Sequence, residues 1–196
     1  MGWRQEARFA VSLNALPPPV ACFLWKTRRH ARRSGDTFSL ASAARPAELV
    51  ALLKLAHGRR AVVELGTGTA WTAIALALED PTRTLISYDP CVRIERDAYL
   101  DVAPAYVRSR IEFRAELDSA GPRAGDALVE MLFVDSQHEY DAVVAAFQAW
   151  RDALAPGAIV VFHDYGHPEY PGVRQAIEDL ELRGSVNGGL FVWAAR

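Results

Sequence analysis

The stretch Ala61-Val-Val-Glu-Leu-Gly-Thr-Gly-Thr-Ala-Trp-Thr-Ala-Ile-Ala-Leu-Ala-Leu78 decides the fold of this chain. Ala61 to Leu65 is a short, mostly apolar run and reads as a strand buried on both faces. Gly66 and Gly68 break it, and the Ala-rich segment that follows puts Ala70, Ile74 and Leu78 on one helical face. Strand, glycine turn, helix is the opening unit of a doubly wound α/β fold. The glycines supply a tight turn that needs positive φ, and without a Cβ they let a nucleoside approach the backbone.

The same stretch argues against a dinucleotide. That fingerprint wants a third glycine at position 71, where this chain has Trp71, and a pyrophosphate on the helix N-terminus. Glu64, two residues before the first glycine, would repel a pyrophosphate and attract a cation. An NAD(P)-linked oxidoreductase is therefore the weaker alternative, beside any α/β turn that merely contains two glycines. A second strand reads Thr84-Leu-Ile-Ser-Tyr-Asp89, and Asp89 stands 21 residues after Gly68. That is the spacing of the carboxylate that accepts from both ribose hydroxyls. A turn cap is the alternative for Asp89, but with the glycine turn the nucleoside reading is the better one.

A chain of 196 residues, 51% of them hydrophobic, suits one α/β domain with a sizeable core. The formal net charge of -2 gives no global basic field for nucleic acid. Cys22 and Cys91 match no metal or redox spacing, no apolar run is long enough to span a membrane, and a reduced, cytoplasmic setting is expected. Residues 1 to 19 carry little periodicity, and Pro17-Pro18-Pro19 argues against regular helix there. Lys26, Arg28, Arg29, His30, Arg32 and Arg33 form a dense basic run, either a solvated face or a patch for an anionic substrate or acidic partner. Pro46 and Glu48 suit a helix start, with Leu49, Leu52, Leu53 and Ala56 as its apolar stripe and His57-Gly58 as its end.

Arg110 to Arg114 is a weak third strand, and the Gly/Pro-containing segment 118–126 reads as an exposed loop. Met131 to Asp135 is a buried strand ending in a carboxylate, with His138 just beyond it. An amphipathic helix follows through Tyr140, Val143, Phe147 and Trp150 to Leu154, with Pro156-Gly157 as its stop. Ala158 to Phe162 is the next strand, ending in His163-Asp164-Tyr165. Strands of such a sheet present their carboxyl ends to the ligand crevice, so Asp135, His138, His163 and Asp164 should converge beside Gly66 and Asp89. Val173, Ala176, Ile177 and Leu180 mark a last helix, and Ser185 to Ala195 a hairpin through Asn187-Gly188.

From about residue 46 onward the chain resembles the class I S-adenosylmethionine (SAM) methyltransferases, in the family that includes macrolide-sugar and rhamnosyl O-methyltransferases. The resemblance rests on Glu64-x-Gly66-x-Gly68, Asp135-x-x-His138-x-Tyr140, and Leu154-Ala-Pro-Gly157 leading into Phe162-His-Asp-Tyr165. Ser136 stands where the family often has Gly. The resemblance implies a doubly wound, mostly parallel seven-stranded sheet ending in an antiparallel hairpin, with helices on both faces. It implies a methyltransferase domain over 46–196 and an N-terminal extension over 1–45. Glu64, Gly66, Thr67, Gly68, Asp89, Glu116 and Asp135 would hold SAM, Glu116 through the adenine amino group. No Asn/Asp-Pro-Pro-Tyr motif follows the fourth strand. Aspartates close the fourth and fifth strands, as in metal-dependent O-methyltransferases, so Asp135 and Asp164 would hold Mg²⁺ unless they are strand-end caps. His138 is the first candidate for general base and His163 its rival. The expected partner is a small-molecule hydroxyl acceptor, with no membrane and no nucleic acid, and a homo-oligomer is left open. The alternative from another class is a SAM-binding module that does not turn over.

Overall fold

The central strand β1 (Ala61–Leu65) feeds two apolar layers, because successive side chains leave a strand on opposite faces. Val62 joins the layer built by Leu52, Ile74 and Leu76, whereas Val63 and Leu65 join that of Phe147, Trp150 and Ile177. This is a computed structural model, and it describes residues 13 to 195. The strands that flank β1 are β2 (Thr84–Tyr88), β3 (Ile111–Arg114), β4 (Val129–Val134), β5 (Leu154–Phe162), β6 (Ser185–Asn187) and β7 (Leu190–Ala194). They form one seven-stranded sheet in the order β3-β2-β1-β4-β5-β7-β6. The first five strands run parallel, and β7 is antiparallel to both β5 and β6. The strand order reverses between β1 and β4, which opens a crevice at their carboxyl ends.

One face carries α1 (Pro18–Ser34), α2 (Thr37–Ser42), α3 (Pro46–Ala56), α4 (Trp71–Glu79), α5 (Arg96–Val102) and α6 (Ala105–Arg108). The other carries α7 (Tyr140–Trp150) and α8 (Pro171–Asp179). Helix α4 is buried nearly all round, with Trp71 and every residue from Ala73 to Leu78 inside, because α1 and α3 cover the side that the sheet does not. Trp71 is thus a core residue, edge-on to Tyr99 at 5.1 Å. Leu16, Val20, Phe23, Leu24 and Ala31 belong to the same apolar layer as α3 and α4, so one core runs across residue 45.

Three local expectations are corrected. Pro18 and Pro19 begin α1 rather than forbid helix, since first-turn residues have no intrahelical N–H bond to lose. The part of that reading that concerns residues 1 to 12 lies outside the described residues. Pro156-Gly157 does not stop α7, which ends at Trp150 and passes through a 3₁₀ turn. The dipeptide lies inside β5, where the register against β4 shifts and Gly157 takes φ 77°. The segment 118–126 is not simply exposed. Asp118 is buried, its carboxylate accepts from Ser136 Oγ at 2.6 Å, and its carbonyl accepts from Trp150 Nε1 at 2.7 Å.

Candidate active site

The glycine turn sits hard against the end of β4. Gly66 has φ 100°, and a Cβ there would lie 2.0 Å from the Asp135 carbonyl oxygen. Its N–H donates to Tyr88 O at 2.8 Å, while Asp135 N–H donates to Leu65 O at 2.8 Å. The loop is pinned on both sides at the point where the sheet order reverses. Gly68 (φ 51°) has only Phe38 Cε1, at 3.8 Å, near its absent Cβ. Its N–H donates to Asp89 Oδ2 at 2.8 Å, and Asp89 Oδ1 accepts from Cys91 N at 2.8 Å. Each oxygen keeps a lone pair for a further donor.

Glu64 faces this turn from inside the protein. Ser87 donates to its carboxylate and lies 2.6 Å from Thr67 Oγ1. Burial pushes the Glu64 carboxyl up to about 8; the Ser87 hydrogen bond opposes this, and the nearby Asp135 and Asp89 charges add to it. The mouth is braced from α2, where Asp36 caps the helix through Ser39 N at 2.9 Å and receives the Tyr99 hydroxyl. Ser39 Oγ lies 2.8 Å from Thr69 Oγ1 in the glycine loop.

A second cluster occupies the ends of β4 and β5. Asp164 holds φ 56°, a left-handed conformation that Asp tolerates better than most residues and that strained functional sites use. Its Oδ2 lies 3.0 Å from His138 Nε2 and 3.2 Å from His163 Nδ1, and Asp135 Oδ1 lies 3.0 Å from the same His163 nitrogen. These are contacts of charge rather than formed hydrogen bonds, because His138 Nε2 and both His163 ring nitrogens are buried with no partner in hydrogen-bonding geometry. Burial works against a charge on His163, but the carboxylates of Asp135, Asp164 and Glu48 outweigh it and push the imidazole up to about 12. Burial likewise opposes the charge on Asp164, yet His138 and His163 hold its carboxyl well below the usual range. His138 is fixed by stacking on Tyr170, centroids 3.9 Å apart and planes 15° from parallel.

The expected residues therefore fall into two adjoining groups: Glu64, Gly66, Thr67, Gly68 and Asp89 around the turn, and Asp135, His138, His163 and Asp164 beside it. Glu116, two residues past the end of β3, is paired with Arg123. Glu48, which the sequence marks only as a helix-start residue, reaches the cluster. Its Oε2 lies 3.6 Å from His163 Nε2 while accepting from Arg45 N at 3.0 Å, a placement that no local pattern announces. Phe38 and Asp118 were likewise missed, since tertiary packing alone brings them to the crevice.

The turn has room for SAM, and the cluster beside it is spaced for a divalent ion. Donor atoms of Asp135, His138 and Asp164 lie within 4.8 Å of one another, so the two carboxylates are within the reach of one ion with the His138 ring beside it. The cradle over Gly68 is open where a Cβ would intrude. Strand order and crevice define the class I SAM-dependent methyltransferase fold. A Methyltransferase domain profile matches residues 63–165, and the chain belongs to that family.

Among solved structures, the chain is similar to the O-methyltransferase TomG from Streptomyces achromogenes, of tomaymycin synthesis, in complex with SAM. That match is 25% identical with a TM-score of 0.59, over 84% of this chain and 85% of the other. It shares its fold with CalS11, a TDP-rhamnose 3'-O-methyltransferase of calicheamicin biosynthesis (19%, TM-score 0.61, 96% and 91% covered). The same holds for a Bacillus cereus O-methyltransferase in complex with S-adenosylhomocysteine (16%, TM-score 0.66, 86% and 90% covered). A curated relative, the uncharacterized protein y4gI of Sinorhizobium fredii, is 36% identical over 84 residues, which span 42% of this chain and 9% of that protein. Among the described residues no helix is long and apolar enough to cross a membrane.

Proposed function

We propose that the protein is a SAM-dependent O-methyltransferase acting on a hydroxyl of a small molecule, a sugar or other natural product, with help from a divalent cation. The observation that carries this reading is the Asp135–His138–Asp164 cluster at the edge of the glycine-turn crevice. A module that only bound SAM would have no use for half-buried charge gathered at that point.

SAM supplies a methyl group activated on a sulfonium. Gly66 and Gly68 admit it to the backbone, Asp89 accepts from its ribose hydroxyls, and Glu64 puts a carboxylate near its cationic end. Asp135 and Asp164 would hold Mg²⁺, which lowers the pKa of a bound hydroxyl. As the acceptor oxygen forms its bond to the methyl carbon and the carbon–sulfur bond breaks, the hydroxyl proton goes to His138 Nε2. His163, already protonated, cannot accept it and serves to neutralise Asp135 and Asp164. The chain's own work is alignment of oxygen, carbon and sulfur, with proton removal. Mass spectrometry of ligand carried through purification, followed by detection of S-adenosylhomocysteine formed from SAM with sugar and phenolic acceptors, tests the reading. Carriage of a nicotinamide dinucleotide would overturn it.

Asp89→Ala is expected to weaken SAM binding by about 10- to 150-fold, the loss of charge-assisted hydrogen bonds worth roughly 1.5–3 kcal/mol. Calorimetry that gave the variant wild-type affinity would refute the ribose assignment.

Glu64 predicts a pH dependence. Its carboxyl is raised from 4.5 to about 8 in the folded state, so it stabilises the unliganded protein most at low pH, and that contribution is lost as pH rises through this window. A cationic ligand favours the carboxylate, so SAM should bind with proton release near neutral pH. Its affinity should rise by up to about tenfold per pH unit below about 8 and then level off. Titration in buffers of different ionisation enthalpy measures the release, and Glu64→Gln should abolish it. Proton-neutral binding by the wild type would contradict the assignment.

A further inference from the structure

Helix α1 carries Lys26, Arg28, Arg29, Arg32 and Arg33 and no acidic residue, in a chain whose formal net charge is -2. Its inner face is consumed by the core through Val20, Phe23, Leu24, Thr27 and Ala31. Lys26, Arg29 and Arg33 follow the outer face at positions i, i+3 and i+7, about one per 5.4 Å turn of the backbone. They line an open concavity of about 410 Å³ between α1 and α5, together with Trp25, His30, Asp101 and Val102. Among the described residues these three cations make no ion pair. Arg29 only overlies the Trp25 ring, at 5.4 Å. Trp25 itself is 51% exposed, unusual for the largest apolar side chain. The one acidic group in the concavity, Asp101, faces Arg108 at 3.6 Å.

We propose that this concavity is a binding site for a phosphate-bearing ligand, separate from the methyl-transfer crevice. Cations about one turn apart that pair with no acid among the described residues suit phosphate oxygens, and guanidinium groups bind them in bidentate fashion. An exposed indole beside them gives the rest of the ligand an apolar platform. A merely solvated basic face needs neither a hollow nor an exposed tryptophan. The face is built onto the site: His30 sits edge-on to Tyr99 at 5.6 Å, and Tyr99 donates to Asp36, the cap of α2 beside the glycine loop.

Two sources of phosphate are separated by experiment on the full chain. Inorganic pyrophosphate is titrated by calorimetry at low and high salt, and vesicles of phosphatidylcholine with and without phosphatidylglycerol are tested by co-sedimentation. Binding in either arm should fall at least about tenfold in the double variant Arg29→Ala/Arg33→Ala and weaken as salt is raised. Trp25→Ala should weaken the vesicle arm more than the pyrophosphate arm. Circular dichroism and S-adenosylhomocysteine affinity should be unchanged in both variants, which shows that fold and crevice are intact. Pyrophosphate binding identifies a soluble phosphate ligand, and anionic-vesicle binding alone identifies a lipid headgroup. Binding in neither arm, or binding that survives the double substitution, overturns the proposal.

Discussion

Asp164→Asn is expected to cut methyl transfer by about a thousandfold or more, ~4 kcal/mol of transition-state stabilisation, while S-adenosylhomocysteine affinity stays within about threefold of wild type. Asparagine keeps the shape of the side chain and tolerates the left-handed backbone that Asp164 adopts at φ 56°, so the end of β5 should hold its place. What disappears is the charge that lies 3.0 Å from His138 Nε2 and 3.2 Å from His163 Nδ1. With it goes one anionic donor for a divalent ion. Glu64, Gly66, Gly68 and Asp89, at the ends of β1 and β2, lose no contact. A chelator in excess should reproduce the defect in the wild-type protein and add little to the variant. Wild-type turnover by Asp164→Asn, or full turnover of the native protein in chelator, would remove the metal and leave His138 to act alone.

The doubly wound architecture was legible because its signals are local. Ala61 to Leu78 holds strand, turn and helix within one short stretch, and the apolar runs ending in Asp135 and Asp164 need only parallel pairing to bring both carboxylates to one edge. The placement of Asp89 follows from the same geometry, since β2 runs parallel beside β1 in register from Ala61 and Thr84 onward. What escaped the sequence depends on tertiary packing. Glu48 reaches His163 only because α3 docks beside the carboxyl ends of the strands, and helix periodicity says nothing of that. Asp118 looked like part of a polar loop, yet Trp150 and Ser136 draw it inside. The three prolines misled in the opposite direction: a residue that breaks a helix interior can begin one, and position in the turn decides which.

The chemistry of the cluster was legible in kind but not in detail. Two histidines near two aspartates offered two bases, and spacing could not rank them. Their surroundings differ: His163 faces Asp135, Asp164 and Glu48, which raise its affinity for a proton. His138 lies flat on Tyr170, with its Nε2 buried and unpartnered in hydrogen-bonding geometry.

The two glycines of the turn should respond differently to the same added methyl group. In Gly66→Ala the Cβ would fall 2.0 Å from the Asp135 carbonyl oxygen, 2.6 Å from its carbon and 3.0 Å from Ser136 Cα, all backbone atoms without rotamers to yield. The Gly66 N–H bond to Tyr88 and the Asp135 N–H bond to Leu65 stop the loop from swinging away. Strain at φ 100° and the steric overlap should together cost roughly 3–5 kcal/mol, lowering Tm by about 6–20 °C. Relief of the overlap moves Asp135, so cofactor binding and turnover should fall together. Gly68→Ala meets only Phe38 Cε1 at 3.8 Å, at a φ of 51° that lies within the left-handed well, so its stability loss should be near ~1 kcal/mol. Its methyl group would still stand in the open cradle, and SAM affinity should drop by tenfold or more, about 1.4 kcal/mol, in a protein that folds normally. Thermal unfolding and calorimetry on both variants decide the matter. A wild-type Tm for Gly66→Ala would disprove the close approach of turn and strand, and wild-type SAM affinity for Gly68→Ala would leave that glycine serving only its own backbone angle.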